Sequence, residues 1–178
     1  GDLEIQLIAD YRGSALAGVM GGGDSEISAG TSRVLLESAW FQPGGVRRTS
    51  RRHGLKTEAS YRFERGADPG MVIPAVDRCA ALIAELAGGT VRPGVVDAHP
   101  REVRAPEVRL RWHRPAEILG MDVAKKDAGR ILAGLGFVER KAGKDGATFR
   151  VPSWRVDVAI EEDLVEEIVR TKGYDAIP

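Results

Sequence analysis

The stretch that says most about this chain spans residues 47–66 and reads RRTSRRHGLKTEASYRFERG. It places six arginines, one lysine and one histidine around a Thr-Glu-Ala-Ser run at residues 57–60. Twenty residues before Thr57 lies Glu37, a carboxylate framed by apolar neighbours in VLLESAWF. Helices and strands form without such a concentration of guanidinium groups, whereas a site for a polar, anionic molecule would use it. The stretch therefore predicts a binding site.

A second charged stretch, residues 157–167, is as acidic as the first is basic. On a helix, Asp163, Glu166 and Glu167 stand at i, i+3 and i+4 and share one face, and Asp157 precedes that helix. Oxygen ligands in such a group suit Mg²⁺. The spacing is equally typical of a solvated face whose acidic residues favour the positive end of the helix dipole. Both interpretations stay open on the spacing alone.

Composition sets the class of protein. The 178 residues are 43% hydrophobic and 29% charged, which is typical of a globular chain of one or two domains. Lys+Arg and Asp+Glu both number 26, so the chain as a whole is not a basic nucleic-acid binder. The single cysteine, Cys79, excludes an intrachain disulfide and a cysteine-built zinc site, and its apolar neighbours predict burial.

No apolar run approaches the roughly 20 residues that span a bilayer, and we find no signal peptide. The chain begins at Gly1 without methionine and ends on Ile177-Pro178, so we expect a piece of a longer protein.

The first hundred residues predict a mixture of strands and helices around a glycine-rich segment, ALAGVMGGGDSE at 15–26. That segment allows close approach of the backbone to a ligand but lacks the phosphate-loop pattern. Asp68-Pro69 predicts the start of a helix that ends before Gly88-Gly89. Further predictions are strands at 3–7, 33–38 and 90–96 and a short basic helix or loop at 46–52.

A polar segment with two prolines, residues 99–106, predicts a domain boundary. The remainder predicts two short helices, a hairpin and a last helix, which make a small winged-helix-like unit. The ranges are a strand at 108–110, helices at 115–119 and 127–135, hairpin strands at 137–140 and 148–151, and a helix at 160–172.

Glu37, Thr57 and Ala59 are candidates for ligand binding. Glu37 would accept a ligand hydrogen bond, Thr57 would hold a water or a ligand oxygen, and Ala59 would leave room for an aromatic ring. The alternative is a structural Glu–Arg pair beside a tight turn. The arginines have two interpretations as well, since they would either meet phosphates or balance Glu58 and Glu64.

Five motifs stand in order and closely resemble the β subunit of bacterial phenylalanyl-tRNA synthetases. They are ALAGVMGG, LLESAWF, RRTSRRHGLKTEASYRFERG, PSWRVD and EEDLVEEIVRTKGYDAIP. The resemblance implies an α+β fold. Residues 1–100 are similar to the second half of a mixed-sheet B3/B4 editing domain, and residues 106–178 resemble a winged-helix-like B5 domain.

Members of that family are phenylalanine–tRNA ligases, cytoplasmic (αβ)₂ heterotetramers that attach phenylalanine to tRNA(Phe) with ATP bound on the α subunit. Their B3/B4 domain hydrolyses mischarged Tyr-tRNA. The resemblance carries editing-pocket roles to Gly18, Gly21, Glu37, Thr57 and Ala59, with Glu37 accepting the tyrosine hydroxyl and no catalytic residue assigned. It also carries Mg²⁺ ligation, shared with the α subunit, to four carboxylates: Asp157, Asp163, Glu166 and Glu167.

The first half of the editing domain, the tRNA-binding ends and the α subunit are not among the 178 residues. We therefore expect this fragment neither to charge tRNA nor to edit well alone. Three other functions compete: a nucleic-acid-binding winged-helix-like module, which would need a basic recognition helix, a purely structural assembly domain, and a free-standing deacylase on the same editing fold, against which the continuation into a B5-like domain argues. The predicted last helix is acidic, which argues against the first of these.

Overall fold

The computed structural model describes residues 7–9, 13–99 and 102–178. The chain divides into two compact units, Gly1–Ala98 and His99–Pro178, and the boundary predicted at 99–106 begins at that division. None of the helices in the described ranges combines the length and the hydropathy that crossing a membrane requires.

The first unit contains a small antiparallel sheet of three strands in the order β1-β2-β3. Of the strand predicted at 3–7, only Leu7 falls within the described residues. All strand pairs in the described ranges are antiparallel, so the mixed sheet implied by the resemblance is not seen there. The strands are β1 (Leu7–Ala9), β2 (Gly13–Leu16) and β3 (Met20–Gly21).

Three helices follow the sheet, and local sequence sets their ends. Gln42 caps the first helix by accepting a hydrogen bond from the Gly45 amide at 2.7 Å, and Pro43 occupies the first turn. Gly54 and Gly88 adopt left-handed conformations that end the first and third helices. The helices are α1 (Pro43–His53), α2 (Glu58–Phe63) and α3 (Val72–Ala87), with a 3₁₀ turn at Pro69–Met71.

Three expectations for this unit are wrong. Residues 33–38 and 90–96 are not strands, and their apolar side chains are exposed except for the half-buried Leu36, with Leu35 and Val96 each 98% accessible. Cys79, expected to be buried on α3, is also exposed. A short apolar run forms a strand only where a neighbouring strand forms backbone hydrogen bonds with it. Among the described residues, no strand pairs with 33–38 or with 90–96.

The second unit is built on an antiparallel sheet in the order β4-β6-β5, with β4 running from Glu107 to Arg111. Val108 and Leu110 of β4 face a core that Phe149 and the apolar stripe of the last helix complete. The other elements are α4 (Arg114–Leu119), α5 (Lys125–Gly134), β5 (Val138–Ala142), β6 (Gly146–Arg150) and α6 (Glu161–Lys172).

Gly146 fixes how closely β4 and β6 approach, because a Cβ at this position would lie 2.4 Å from the carbonyl oxygen of Leu110. The elements predicted from 108 to 172 are confirmed, with bounds shifted by a few residues. Ile160, the first residue of the predicted last helix, is the N-cap residue of α6 and is exposed, whereas Leu164 and Ile168 within the helix are buried. The winged-helix likeness stays a prediction.

Candidate functional site

A cavity of about 360 Å³ opens in the first unit between the β2–β3 turn, the segment that precedes α1, and α2. Four of the five predicted pocket residues line it, namely Gly18, Gly21, Glu37 and Ala59. These residues are separated by up to 41 positions in sequence, and the fold brings them to one place. The other lining residues are Ala15, Leu16, Val19, Met20, Ser38, Ala39, Phe41 and Phe63.

Thr57, the fifth predicted residue, supports the wall of this cavity. Its Oγ1 donates a hydrogen bond of 2.6 Å to the carbonyl oxygen of Val19 and accepts one of 3.0 Å from the Ser60 amide. Ser60 Oγ accepts in return from the Thr57 amide at 2.9 Å, which completes a capping box at the start of α2. The threonine hydroxyl thus donates its one proton to the protein and uses one of its two acceptor lone pairs there, and its contact with a water or a ligand oxygen stays a prediction.

Two glycines form the turn side of the cavity. Gly18 has φ of 69°, and a Cβ there would lie 2.9 Å from Cδ2 of Phe41 and 3.0 Å from Cγ2 of Val46. Gly21 has open space around its Cα. Gly18 is thus required by the backbone and by packing, whereas neither requires a glycine at position 21.

Glu37 is exposed and lines the cavity from the segment before α1. In the described ranges no arginine lies within ion-pair distance of it, so the alternative of a structural Glu–Arg pair is not seen there. The segment is anchored farther along, where Trp40 Nε1 donates to the carbonyl oxygen of Ala67 at 3.0 Å. A carboxylate beside apolar walls can accept a hydrogen bond from a ligand whose body is apolar.

Sequence reasoning missed the aromatic part of the wall. Phe41 and Phe63 pack edge to face with ring centroids 5.0 Å apart and both line the cavity. The signal for Phe63 was present, because it stands four residues after Ala59 and shares its helix face.

Of the six arginines of residues 47–66, Arg47 donates to the carbonyl oxygen of Glu64 at 3.1 Å, and the other five fall into two groups. Arg62 pairs with Glu58 at 2.6 Å and Arg65 with Glu64 at 3.0 Å, which confirms the balancing role for these two. Four exposed cations, which we call the basic ridge, have no ion pair within the described part of the chain. They are Arg48, Arg51 and Arg52 on α1 and Lys56 after it.

In the second unit, Arg155 binds two of the four predicted carboxylates. Its guanidinium donates to both oxygens of Asp157, at 2.8 and 2.7 Å, and to both oxygens of Glu167, at 2.8 Å each. Arg170 also donates to Glu167, which is only 4% exposed. The hydrogen bonds from Arg155 hold the pKa of the Glu167 carboxyl below its usual range, although burial acts to raise it. They lower the pKa of the Asp157 carboxyl in the same way.

The other two predicted carboxylates, Asp163 and Glu166, have different surroundings. Asp163 Oδ2 accepts hydrogen bonds from the amides of Ala159 and Ile160, at 2.7 and 2.9 Å, and so caps α6. Glu166 is exposed. Within the described ranges no three His, Cys, Asp or Glu residues come together as a metal site. This arrangement does not fit Mg²⁺, because both oxygens of Asp157, both oxygens of Glu167 and Oδ2 of Asp163 already accept hydrogen bonds from guanidinium or amide groups.

The first turn of α6 carries an ion-pair network that the sequence did not predict. Glu161 accepts from the amide of Arg111 and from its Nε and Nη2 atoms, and Arg114 reaches Glu162 at 2.6 Å. Burial acts to raise the pKa of the Glu161 carboxyl, but the hydrogen bonds from Arg111 outweigh it and the pKa lies below its ordinary value. These contacts attach the start of α6 to the end of β4.

No basic recognition helix is present in the second unit as described. Arg130 of α5 lies 3.5 Å from Asp127, and Lys125 lies over the ring of Trp112 at 5.2 Å. The duplex-reading alternative therefore lacks the charge that it needs.

Two family models match the chain in succession: the B3/4 domain over residues 2–88 and the tRNA synthetase B5 domain over residues 108–174. The chain is 79% identical over 97% of its length to the phenylalanine–tRNA ligase beta subunit of Anaeromyxobacter dehalogenans. It is 49% identical over 92% of its length to that of Salinibacter ruber, and 46% identical over 99% to that of Geobacter sulfurreducens.

The chain spans about a fifth of the length of these relatives, with 22%, 20% and 22% of them covered. The two matched models and the three relatives agree with the resemblance carried by the five sequence motifs. The chain accordingly belongs to the family of phenylalanine–tRNA ligase beta subunits.

Proposed function

We propose that the first unit is part of the editing site of a phenylalanine–tRNA ligase and hydrolyses tyrosine mischarged onto tRNA(Phe). The observation that carries the proposal is that Gly18, Gly21, Glu37 and Ala59 line one and the same cavity. Its volume of about 360 Å³ falls within the range of small-molecule sites, which is roughly 300 to 1,000 Å³. An aromatic amino acid fits a site of this size.

The chemical need for such a cavity follows from the limits of the first selection step. A hydrophobic pocket cannot strongly reject an isostere that adds only a hydroxyl, so a second site must bind that hydroxyl. Glu37 supplies a carboxylate for it, and the rings of Phe41 and Phe63 supply an apolar wall for the body of the substrate. Phenylalanine would leave the carboxylate unsatisfied and would bind less well.

Glu37 selects the substrate and is not assigned as a base. Hydrolysis would use a held water, the terminal hydroxyl of the tRNA, and backbone amide donors at the developing oxyanion. Thr57 acts indirectly, because its hydroxyl fixes the Val19 carbonyl in the cavity wall. The direct contact with water or ligand expected from the sequence would use the second acceptor lone pair of the same hydroxyl.

The basic ridge would meet the phosphates of the tRNA. Like charges at i and i+4, such as Arg48 and Arg52, repel one another on a helix unless an anion neutralises them. These arginines lie near the C-terminal end of α1, where the helix dipole favours positive charge. Their side chains are exposed and therefore accessible to a phosphate group.

The second unit would serve assembly with an α subunit in an (αβ)₂ heterotetramer, and ATP-dependent charging in the cytoplasm would belong to the whole enzyme. Exposed apolar side chains before α6 support this role, since Trp154, Val156 and Ile160 are 59%, 54% and 55% exposed within seven residues of sequence. Mg²⁺ binding by the four carboxylates stays a prediction of the resemblance, and no step of the proposed function uses it.

The test is deacylation by the complete enzyme carrying Glu37→Ala, with Tyr-tRNA and Phe-tRNA measured side by side. Loss of a hydrogen bond to a charged group should reduce the preference for Tyr-tRNA roughly 10- to 100-fold. Glu26→Ala is the matched control, because Glu26 is exposed and does not line the cavity. Unchanged preference in Glu37→Ala would remove the carboxylate from the pocket.

A further inference from the structure

Arg155 stands at the centre of the acidic corner of the second unit. Its side chain is 18% exposed and lies between Asp157, which is 63% exposed at the side chain, and Glu167, which is 5% exposed. The guanidinium makes four hydrogen bonds to the two carboxylates, so each carboxylate is held by both of its oxygens. Paired bonds of this kind are the strongest that arginine forms with carboxylates.

The segment that carries Arg155 is fixed by its own packing. The Arg155 amide donates to the carbonyl oxygen of Pro152 at 3.0 Å, which closes a turn. The guanidinium carbon lies 5.9 Å from the ring centroid of Phe137. A Cβ at Gly136 would lie 2.9 Å from Cζ2 of Trp154, so the indole packs directly against the chain there. The guanidinium is thus held in place by more than its carboxylate partners.

A divalent cation at this corner would compete with the guanidinium. Mg²⁺ requires oxygen ligands at about 2.0–2.1 Å in near-octahedral geometry. Both oxygens of Asp157 and both oxygens of Glu167 already accept hydrogen bonds from Arg155, and Glu167 accepts another from Arg170. Binding of the metal would displace a guanidinium that is mostly buried and leave its charge unpaired, which is costly.

We infer that Arg155 is the built-in counter-cation of Asp157 and Glu167 in this chain. The guanidinium neutralises the two carboxylates, holds the segment before α6 onto that helix, and excludes divalent cations from them. The second unit consequently reaches its folded state without bound metal. This inference is independent of the proposed editing function, because it concerns only contacts within the second unit.

The first test measures cation binding to the 178-residue chain, with Mn²⁺ as a paramagnetic probe for a magnesium site. The unaltered chain should leave the Mn²⁺ electron paramagnetic resonance signal undiminished, and its unfolding temperature should be the same in EDTA and in millimolar MgCl₂. Mn²⁺ binding that is lost in Glu167→Gln would overturn the inference.

The second test removes the guanidinium. In EDTA, Arg155→Ala should lower the unfolding temperature by roughly 10 °C or more, since it leaves Glu167 without its main partner in a buried position. The variant should also bind Mn²⁺ more tightly than the unaltered chain. An unchanged unfolding temperature, or Mn²⁺ binding no tighter than before, would contradict the exclusion of metal by Arg155.

Arg150→Ala is the matched control, because Arg150 is an exposed residue of β6 without an ion pair among the described residues. It should change neither the unfolding temperature nor Mn²⁺ binding appreciably.

If Arg155→Ala fails to fold, Arg155→Lys keeps the charge but cannot form two bidentate pairs. That variant should unfold at a lower temperature than the unaltered chain, and equal stability of the two would contradict the inference.

Discussion

Gly18 and Phe41 are in such close contact that a Cβ at Gly18 would lie 2.9 Å from Cδ2 of the ring. The same glycine has φ of 69°, a conformation that side-chain-bearing residues rarely adopt. Phe41 in turn packs edge to face on Phe63 of α2. The shape of the cavity therefore depends on the absence of a side chain at position 18.

Gly18→Ala should destabilise the first unit, because it adds backbone strain to an overpacked contact. We expect a loss of about 1–3 kcal/mol, measured by urea unfolding of the 178-residue chain followed by the fluorescence of its tryptophans, of which Trp40 lies in the first unit. Gly21→Ala is the matched control, since a Cβ at Gly21 would meet nothing within 4 Å. Equal stability of the two variants would show that the contact with Phe41 is dispensable.

Thr57→Ala should lower stability by about 1–2 kcal/mol, because it removes the N-cap of α2 and leaves the Val19 carbonyl without its donor. Thr57→Ser retains a hydroxyl and should recover most of the loss in the same urea titration. In the complete enzyme, Thr57→Ala should also slow Tyr-tRNA hydrolysis if the cavity wall shifts. A serine variant as unstable as the alanine variant would assign the effect to the lost methyl group instead.

Arg51→Ala combined with Arg52→Ala should weaken tRNA binding by the complete enzyme and reduce its salt dependence. Each lost phosphate contact lowers the slope of log K against log salt by about 0.7 to 0.9. Arg62→Ala with Arg65→Ala removes the same charge from residues that are already paired, and should change the slope less. Identical slopes for the two double variants would make the basic ridge structural.

Acid should destabilise the second unit through Glu167 and Asp157. Both carboxyls have pKa values below their ordinary range because Arg155 donates hydrogen bonds to them. Their contribution to stability is complete above the unfolded pKa of about 4, and it is lost as pH falls through the lower folded values. The unfolding temperature should therefore fall between about pH 5 and the acid limit.

Glu167→Gln supplies the comparison for this pH dependence. It should flatten the profile while lowering stability at neutral pH, since the buried position keeps a polar group but loses the charge that Arg155 requires. A profile as steep as that of the unaltered chain would assign the acid sensitivity to other carboxyls, such as Glu161.

Sequence patterns predicted the second unit well because its signals are local and agree with one another. The α6 stripe, the glycine that ends α4, and the two strands around residues 143–146 each specify one structure. The segments at 33–38 and 90–96 carry apolar runs without any such agreement. Their conformation depends on which other segments hydrogen-bond to their backbone and bury their side chains. A short apolar sequence does not by itself contain that information.

In the candidate sites, too, some features could be predicted from the sequence and others could not. Motif resemblance led to Gly18, Glu37 and Ala59, and the fold places all three around one cavity. The partner of Glu167 could not be read from the acidic spacing, because Arg155 lies outside the helix and reaches it through a turn. Ion pairs between distant elements depend on tertiary geometry, so periodicity within one helix does not reveal them.

The hydroxyl of Thr57 joins the first turn of α2 to the cavity wall, since it accepts from the Ser60 amide and donates to the Val19 carbonyl. Fraying of that turn and distortion of the wall are therefore the same local opening event. A ligand that fills the cavity should slow hydrogen–deuterium exchange at the Ser60 amide, even though Ser60 does not line the cavity. The exchange rate of one amide would then report occupancy of the pocket.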